Sequence, residues 1–486
     1  MQPFIHRRQF LQLAGAGAVM YFAPSLPAWG KQSGLHPSLV SPGCRGSKVK
    51  VARLYLGIPH AHWPTPTMEL DAEVQRYLAE FDKRADVFAD VEFVPDTVIT
   101  SREEAQGIVP QLADVDGILA IHLSMGVRGM VDDLLTAGKP TFLFAAPYSG
   151  HEWTTYGKLR EQPEGAKFEC ALTSDFDELA AAVRPFRAIH HLREAKIMNV
   201  TSRELKADYL EAIGSRFGTT IQVVDRDRVI AAYEAVPEAD AEVEAKLWIR
   251  HAAEVVEPPQ DEIVRSCRLA LAFEKLLDEE NATVMTVDCY GSMYRQLPAF
   301  PCIGFTRLND MGLAGICESD LASAMTFILL QGLTGKPGFI SDPTVDESTE
   351  SIILAHCLGS TKMNGPDGKA CPYRIRTIME RQEGAVTQVY MDKKQPVTQA
   401  ILVGADRMQY FTGTIIDVPE SERGCRTKID VRVDGDIQVL WRNWTSGLHR
   451  VTCYGDVRAD LQRFCRYTSV SLVDEAAAGE APVIST

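Results

Sequence analysis

Three polar side chains close three short apolar runs in the middle of this chain. GLAGIC runs into Glu318, PGFI reaches Asp342 by way of Ser341, and IILA runs into His356. Two carboxylates and an imidazole suit the coordination sphere of a divalent cation such as Mn²⁺. A pair of carboxylates also suits general acid–base work, because burial and like charge pull their proton affinities apart. Short apolar runs bounded by turn residues read as buried strands. In an open α/β sheet, ligands bind just outside the carboxyl ends of the strands. Glu318, Asp342 and His356, spaced by 24 and 14 residues, are therefore expected to meet at one such edge. Each also has a plainer role: Glu318-Ser319-Asp320 precedes an apolar helix and offers caps, Asp342-Pro343-Thr344 makes a good turn, and His356 fits a core.

The elements that must position these groups follow an α/β pattern with a different ending. Val49–Gly57, Gly117–His122 and Thr141–Ala145 read as strands, with a helical stripe of Val74, Tyr77, Leu78 and Phe81 between the first two. A second alternation starts near Arg187, with strands at Lys196–Val200, Ile221–Val224 and Ala282–Val287. Thr201–Glu204 fits a capping box, and long helices are expected over 239–256 and 261–279. The helix from Leu321 to Leu333 is apolar nearly all round and should be buried on every side. After Gly365-Pro366-Asp367-Gly368 the chain changes to short Thr-, Val- and Ile-rich runs broken by Gly and Asp, the pattern of a small antiparallel barrel. The expected architecture is α/β: two parallel-sheet α/β domains over 48–186 and 187–368, then a small antiparallel β-barrel-like domain over 369–486. A linker over 31–47 and an export segment over 1–30 precede them.

That export segment begins MQPFIHRRQFLQLAGAGAVMYFAP. Arg7-Arg8, then an apolar stretch, then small residues is the order of a twin-arginine signal peptide, which implies a periplasmic location. The apolar stretch is too short to span a bilayer, so no stable membrane span is expected. The whole chain of 486 residues carries a net charge of −15 and no Lys/Arg-rich run, which argues against nucleic acid as a partner. Eleven scattered cysteines without a CxxC pair argue against a disulfide framework. Most, including Cys317 and Cys357 beside the acidic residues, read as small buried hydrophobes.

The segments TRLNDMGLAGICESD, GKPGFISDPT, ILAHCLGS and SGLHRVTCYGD, in that order, resemble the L-fucose and L-arabinose isomerases over most of residues 185–470. The resemblance implies a sugar isomerase that interconverts an aldose and a ketose through an enediol. It implies that Glu318 and Asp342 bind Mn²⁺ or another divalent metal and act as acid and base. It also implies that His449 is a metal ligand. His356 corresponds to a ligand of the arabinose branch, whereas an Asp at 342 agrees with the fucose branch. The partner would be a small-molecule sugar, and the active assembly a homo-oligomer. Arg307 and Asn309, with Asp310, either contact the substrate or anchor a loop. Trp444, with Trp441, either stacks on a sugar face or fills a strand core. His60 and His62, after the first strand, are candidate contacts from the N-terminal unit, and His190-His191 reads as surface. The alternative to an isomerase is a non-catalytic exported sugar-binding protein on the same fold.

Overall fold

The computed structural model describes residues 34–477; the Arg7-Arg8 segment lies outside them. Among the described residues, no helix is long and apolar enough to cross a membrane.

The fold is mixed α/β with two parallel sheets and a closed antiparallel barrel. The first sheet has five parallel strands in the spatial order Val91–Ile99, Val49–Leu56, Gly117–His122, Thr141–Ala145, Phe168–Leu172. Helix Leu70–Asp82 buries Tyr77 and Phe81 against it, the stripe expected from the 3.6-residue period. The second sheet has four parallel strands in the order Ala314–Cys317, Val284–Val287, Lys196–Val200, Thr220–Val224. The helices expected over 239–256 and 261–279 span Glu238–His251 and Gln260–Glu279.

The barrel takes its strands from further upstream than the change in composition suggests. Phe339–Asp346 and Ser351–His356 pair antiparallel with each other, and continue through Thr427–Val433, Arg407–Asp417, Pro396–Val403 and Arg450–Tyr454 back to Phe339. So two of the three apolar runs expected at the edge of a parallel sheet are barrel strands. The reason is connection length. Only four residues, 347–350, separate them, enough for a hairpin but far short of a parallel crossover. Val386–Val389, expected in the barrel, instead joins Tyr373–Arg376 and Glu254–Val255 in a small separate sheet. Ile437–Asn443, within the stretch expected to be a barrel, is instead a helix, nucleated by Asp436, whose carboxylate accepts from the amides of Gln438 and Val439. The capping box at Thr201–Glu204 does not form. Thr201 Oγ1 accepts from the Arg203 amide instead, and the helix starts at Ala207.

One helix joins these layers. Leu321–Thr334 packs on Asp177–Glu194, on the strand Ala314–Cys317 and on the barrel strands Pro396–Val403 and Arg450–Tyr454. Residues 323–333 are all buried, which explains the lack of a polar face. Gly332 permits the closest approach: a Cβ there would stand 2.7 Å from the Ala188 Cα. His190 and His191, read as surface, are buried on the neighbouring helix because that helix is covered on several sides. His190 Nδ1 lies 2.9 Å from Asp116 Oδ2, and His191 Nε2 lies 3.1 Å from Ser41 Oγ. Burial pushes His191 down to about 3, so it is neutral.

The helix Cys302–Asp310, buried along its whole length, supports the edge strand. A Cβ at Gly315 would stand 2.4 Å from the Phe305 Cα, so the strand must carry glycine there. Behind it, Arg307 sits between Glu244 (3.0 Å) and Glu274 (2.6 Å). Burial raises the Glu274 carboxyl, but His36 at 3.0 Å and Arg307 more than offset this and hold it at about 2, against 4.5 for a free glutamate. A group depressed in this way contributes stability that is complete above the unfolded value and is lost as pH falls towards the folded one. Its upper limit is about 3 kcal/mol. Urea unfolding of Glu274→Gln and the parent protein should therefore differ at pH 7, and the gap should shrink below pH 4.5 and close only as pH falls through about 2.

Candidate metal centre

Glu318, Asp342, His356 and His449 meet at the seam between the second parallel sheet and the barrel rim. Glu318 follows the edge strand Ala314–Cys317. There the backbone enters the left-handed region at two successive non-glycine residues, Glu318 (φ 63°) and Ser319 (φ 56°). Such conformations cost of order 1–3 kcal/mol each and persist only where the surroundings enforce them. Here Ser319 Oγ donates to Asn199 Oδ1 (2.7 Å) and the Ser319 amide donates to the Val287 carbonyl (3.1 Å). Asp320 then caps the buried helix, accepting from the amide of Ser323 at 3.0 Å and from its hydroxyl at 2.7 Å.

The barrel supplies the other three residues. Ser341 pairs with Arg450, so continuing the antiparallel register sets Asp342 opposite His449. Asp342 also pairs with Ala355, next to His356 at the end of the other hairpin strand. His449 Nε2 lies 3.2 Å from Asp342 Oδ1 and 3.9 Å from Glu318 Oε2. His356 Nε2 lies 3.8 Å from Glu318 Oε1, and the two imidazoles are 5.3 Å apart in T-shaped contact. Donor atoms of Glu318, His356 and His449 all fall within 4.8 Å of one another.

Two details bear on whether this set fits a cation. His449 Nδ1 stands 3.0 Å from Asp320 Oδ2. A carboxylate on the far ring nitrogen fixes the tautomer that turns Nε2 towards the cluster, the usual support for a metal-ligating histidine. Asp342 Oδ1 is buried yet accepts no hydrogen bond, because Nε2 of His449 is near but poorly aligned. An orphaned buried acceptor beside two imidazoles and a second carboxylate fits a cation that accepts nitrogen and oxygen donors.

The charges agree with this geometry. Burial lowers His449, but the carboxylates of Asp320 and Asp342 more than offset it and raise the imidazole to about 10. It therefore carries its positive charge among three acidic side chains. Burial and the neighbouring His449 push His356 down to about 4, so it is neutral and able to ligate. Burial raises Glu318, and the charges of Asp342 and Asp320 add to this against His449. Burial also raises Asp342, but the two imidazoles beside it win and leave it below the ordinary carboxylate range. The two carboxylates are thus driven apart, one towards the protonated and one towards the ionised form.

Other residues singled out in the sequence lie elsewhere or have other partners. Arg307 is tied to Glu244 and Glu274, and Asn309 Oδ1 accepts from the Gly315 amide at 2.7 Å. Asp310 accepts from the hydroxyls of Ser360 and Thr361 and the amide of Lys362. All three are buried, so of the two readings of the RLND cluster the anchoring one describes their contacts. Trp444 stacks over the Arg450 guanidinium (4.3 Å) and its Nε1–H donates to the Leu448 carbonyl (3.3 Å), which shapes the turn leading into His449. Trp441 is on an exposed helical turn and donates to Glu347. His60 and His62 are exposed. Near them, a cavity of about 330 Å³ opens at the carboxyl end of the first sheet, lined in part by His122, Tyr148 and Phe176. Sequence reasoning gave Asp320 a cap and nothing more. Its second role, holding His449, needs the distance between residues 320 and 449, which no local pattern carries.

The fold and this cluster define an α/β protein with a closed barrel and a set of two carboxylates and two imidazoles at their junction. No family model matches the chain. It is similar to two curated proteins, both named sulfoquinovose isomerase. One, from Alkalicoccus urumqiensis, is 21% identical over 276 residues, covering 53% of this chain and 59% of that protein. The other, from Clostridium sp. (strain MSTE9), is 24% identical over 213 residues, covering 40% of this chain and 44% of that protein. The chain spans about half the length of these curated relatives. They are distant homologues.

Proposed function

We propose that the chain is a metal-dependent sugar isomerase that interconverts an aldose and a ketose, with Glu318 and Asp342 as its acid–base pair. The observation that carries this reading is the meeting of Glu318, Asp342, His356 and His449 from one sheet edge and one barrel rim. The names of the two relatives support the reaction class, and the order of the four resembling segments supports the residue roles. A sulfonated or 6-deoxy sugar is the first substrate class to try, followed by the pentoses.

Moving a proton between C1 and C2 of an open-chain sugar needs a base on one carbon and an acid for the other. Asp342, held towards the ionised form, is suited to take the proton, and Glu318, held towards the protonated form, to give one back. His356 and His449, with Glu318 and Asp342, would hold a divalent cation at this seam. When bound there, a divalent ion such as Mn²⁺ would supply positive charge as a Lewis acid and template. The left-handed turn at Glu318-Ser319 fixes the carboxyl in place between sheet and barrel. The reading is tested by assaying purified protein for ketose formation from a sugar panel, with and without Mn²⁺. Tight binding of a sugar without turnover on any of them would favour the sugar-binding protein instead.

Asp320 is a positioning residue in this account. Asp320→Asn keeps an oxygen for the Ser323 amide but weakens the hold on His449. Metal affinity should fall about 10–100-fold while the thermal midpoint stays close to that of the parent. Isothermal titration with Mn²⁺ alongside thermal unfolding separates the two effects.

The Arg7-Arg8 segment supports export by the twin-arginine route to the periplasm. Replacing both arginines with lysine should leave the protein in the cytoplasmic fraction. A homo-oligomer is the assembly expected for this class, and sedimentation of the purified chain tests it.

A further inference from the structure

Cys357 follows His356, yet its thiol meets a different set of groups. Cys425 Sγ lies 3.1 Å from Glu380 Oε1, and donor atoms of Cys357, Cys425 and Glu380 all fall within 4.8 Å of one another. The Tyr290 hydroxyl completes the surroundings, 3.9 Å from Cys357 Sγ and 3.3 Å from Glu380 Oε2. These residues arrive from separate segments: the end of the hairpin strand Ser351–His356, the turn after Tyr373–Arg376, and the loop before Thr427–Val433. Cys357 is buried, Cys425 half-buried and Glu380 exposed, so the set opens to solvent through its carboxylate. A tetrahedral zinc-type centre, with thiolate bonds of about 2.3 Å and a carboxylate bond of about 2.0 Å, sets its ligand atoms roughly 3.5–3.8 Å apart. The Cys425–Glu380 separation of 3.1 Å is a few tenths of an ångström inside that spacing, and the 4.8 Å limit on the others brackets it.

We propose that Cys357, Cys425 and Glu380 bind a second divalent cation, of the soft zinc class, with its fourth position facing the Tyr290 hydroxyl. On binding, two thiolate–metal bonds and one carboxylate–metal bond form, the two thiol protons leave to solvent, and nothing is oxidised or reduced. Thiolates select zinc-class ions, whereas the nitrogen and oxygen donors around Glu318 suit Mn²⁺. The chain thus sorts two kinds of ion between neighbouring centres. The second centre ties the loop before Thr427 and the turn around Glu380 to the strand that ends in His356. It does not depend on the isomerase reading.

Co²⁺ serves as a spectroscopic probe for zinc. The full chain, reduced and stripped by a chelator, is titrated with Co²⁺. The expected result is a thiolate-to-cobalt charge-transfer absorption that is lost in both Cys425→Ser and Cys357→Ser. The same absorption is retained in His449→Ala. Circular dichroism of Cys425→Ser, a substitution on a partly exposed loop, checks that the fold is kept. A parent protein that shows no such absorption overturns the proposal. So does an absorption that survives Cys425→Ser, or one that His449→Ala abolishes.

Discussion

Glu318→Gln is expected to lower isomerase turnover by about 10²–10⁴-fold, the usual worth of a general acid or base, and Asp342→Asn to do the same. Both replacements are nearly isosteric, so the loss should appear in kcat with the fold intact. Glu318→Gln keeps an oxygen at the cluster but removes the proton that the buried, negatively surrounded carboxyl is suited to hold. Asp342→Asn replaces the orphaned acceptor next to His449 with a group that cannot ionise. The loss in the double variant should be smaller than the product of the single losses, because the two groups act on one proton transfer. Steady-state rates with ketose detection, alongside thermal unfolding, check this. Full turnover in both single variants would remove the acid–base assignment.

Arg307→Met is expected to destabilise the protein by about 3–5 kcal/mol, the cost of leaving a buried partner charge uncompensated. Arg307 is 3% exposed and sits between Glu244, itself 4% exposed, and Glu274. Removing it leaves two carboxylates facing each other in the core, and Glu244 also accepts from Trp248 Nε1, so its charge cannot turn away without losing that bond. Urea unfolding should show a large shift of the midpoint with little change in slope. A substrate-contacting arginine would behave differently, with KM rising at unchanged stability. That second outcome would restore the reading that Arg307 lines the site.

The sequence carried the alternation of the two α/β units because their central strands are apolar on both faces and their helices keep a 3.6-residue stripe, whereas the edge strands Val91–Ile99 and Phe168–Leu172, each with an exposed or half-exposed face, were not singled out. Gly117–His122 and Thr141–Ala145 form as read. What the sequence obscured was membership. Phe339–Asp346 and Ser351–His356 are apolar enough at their starts to pass for parallel strands, and only the four-residue connection betrays the hairpin. Cys302–Asp310 carries mixed polar and apolar residues that are all buried, so no stripe announces a helix. The candidate site was legible in its members, because Glu318, Asp342 and His356 each close an apolar run. Its geometry was not, since Glu318 comes from a sheet edge and the other three from a barrel rim. Asp320 shows the limit most clearly. Its cap to Ser323 is local and readable, while its contact with His449 spans 129 residues.

A crystal of the full chain grown with Mn²⁺, with anomalous scattering recorded near the manganese edge, tests the shared-ion claim most directly. The account predicts one strong peak coordinated jointly by Glu318, Asp342 and His449, with His356 at its margin or among its ligands. A well-ordered structure that lacks manganese at this seam, or that binds it only at other residues, would contradict it.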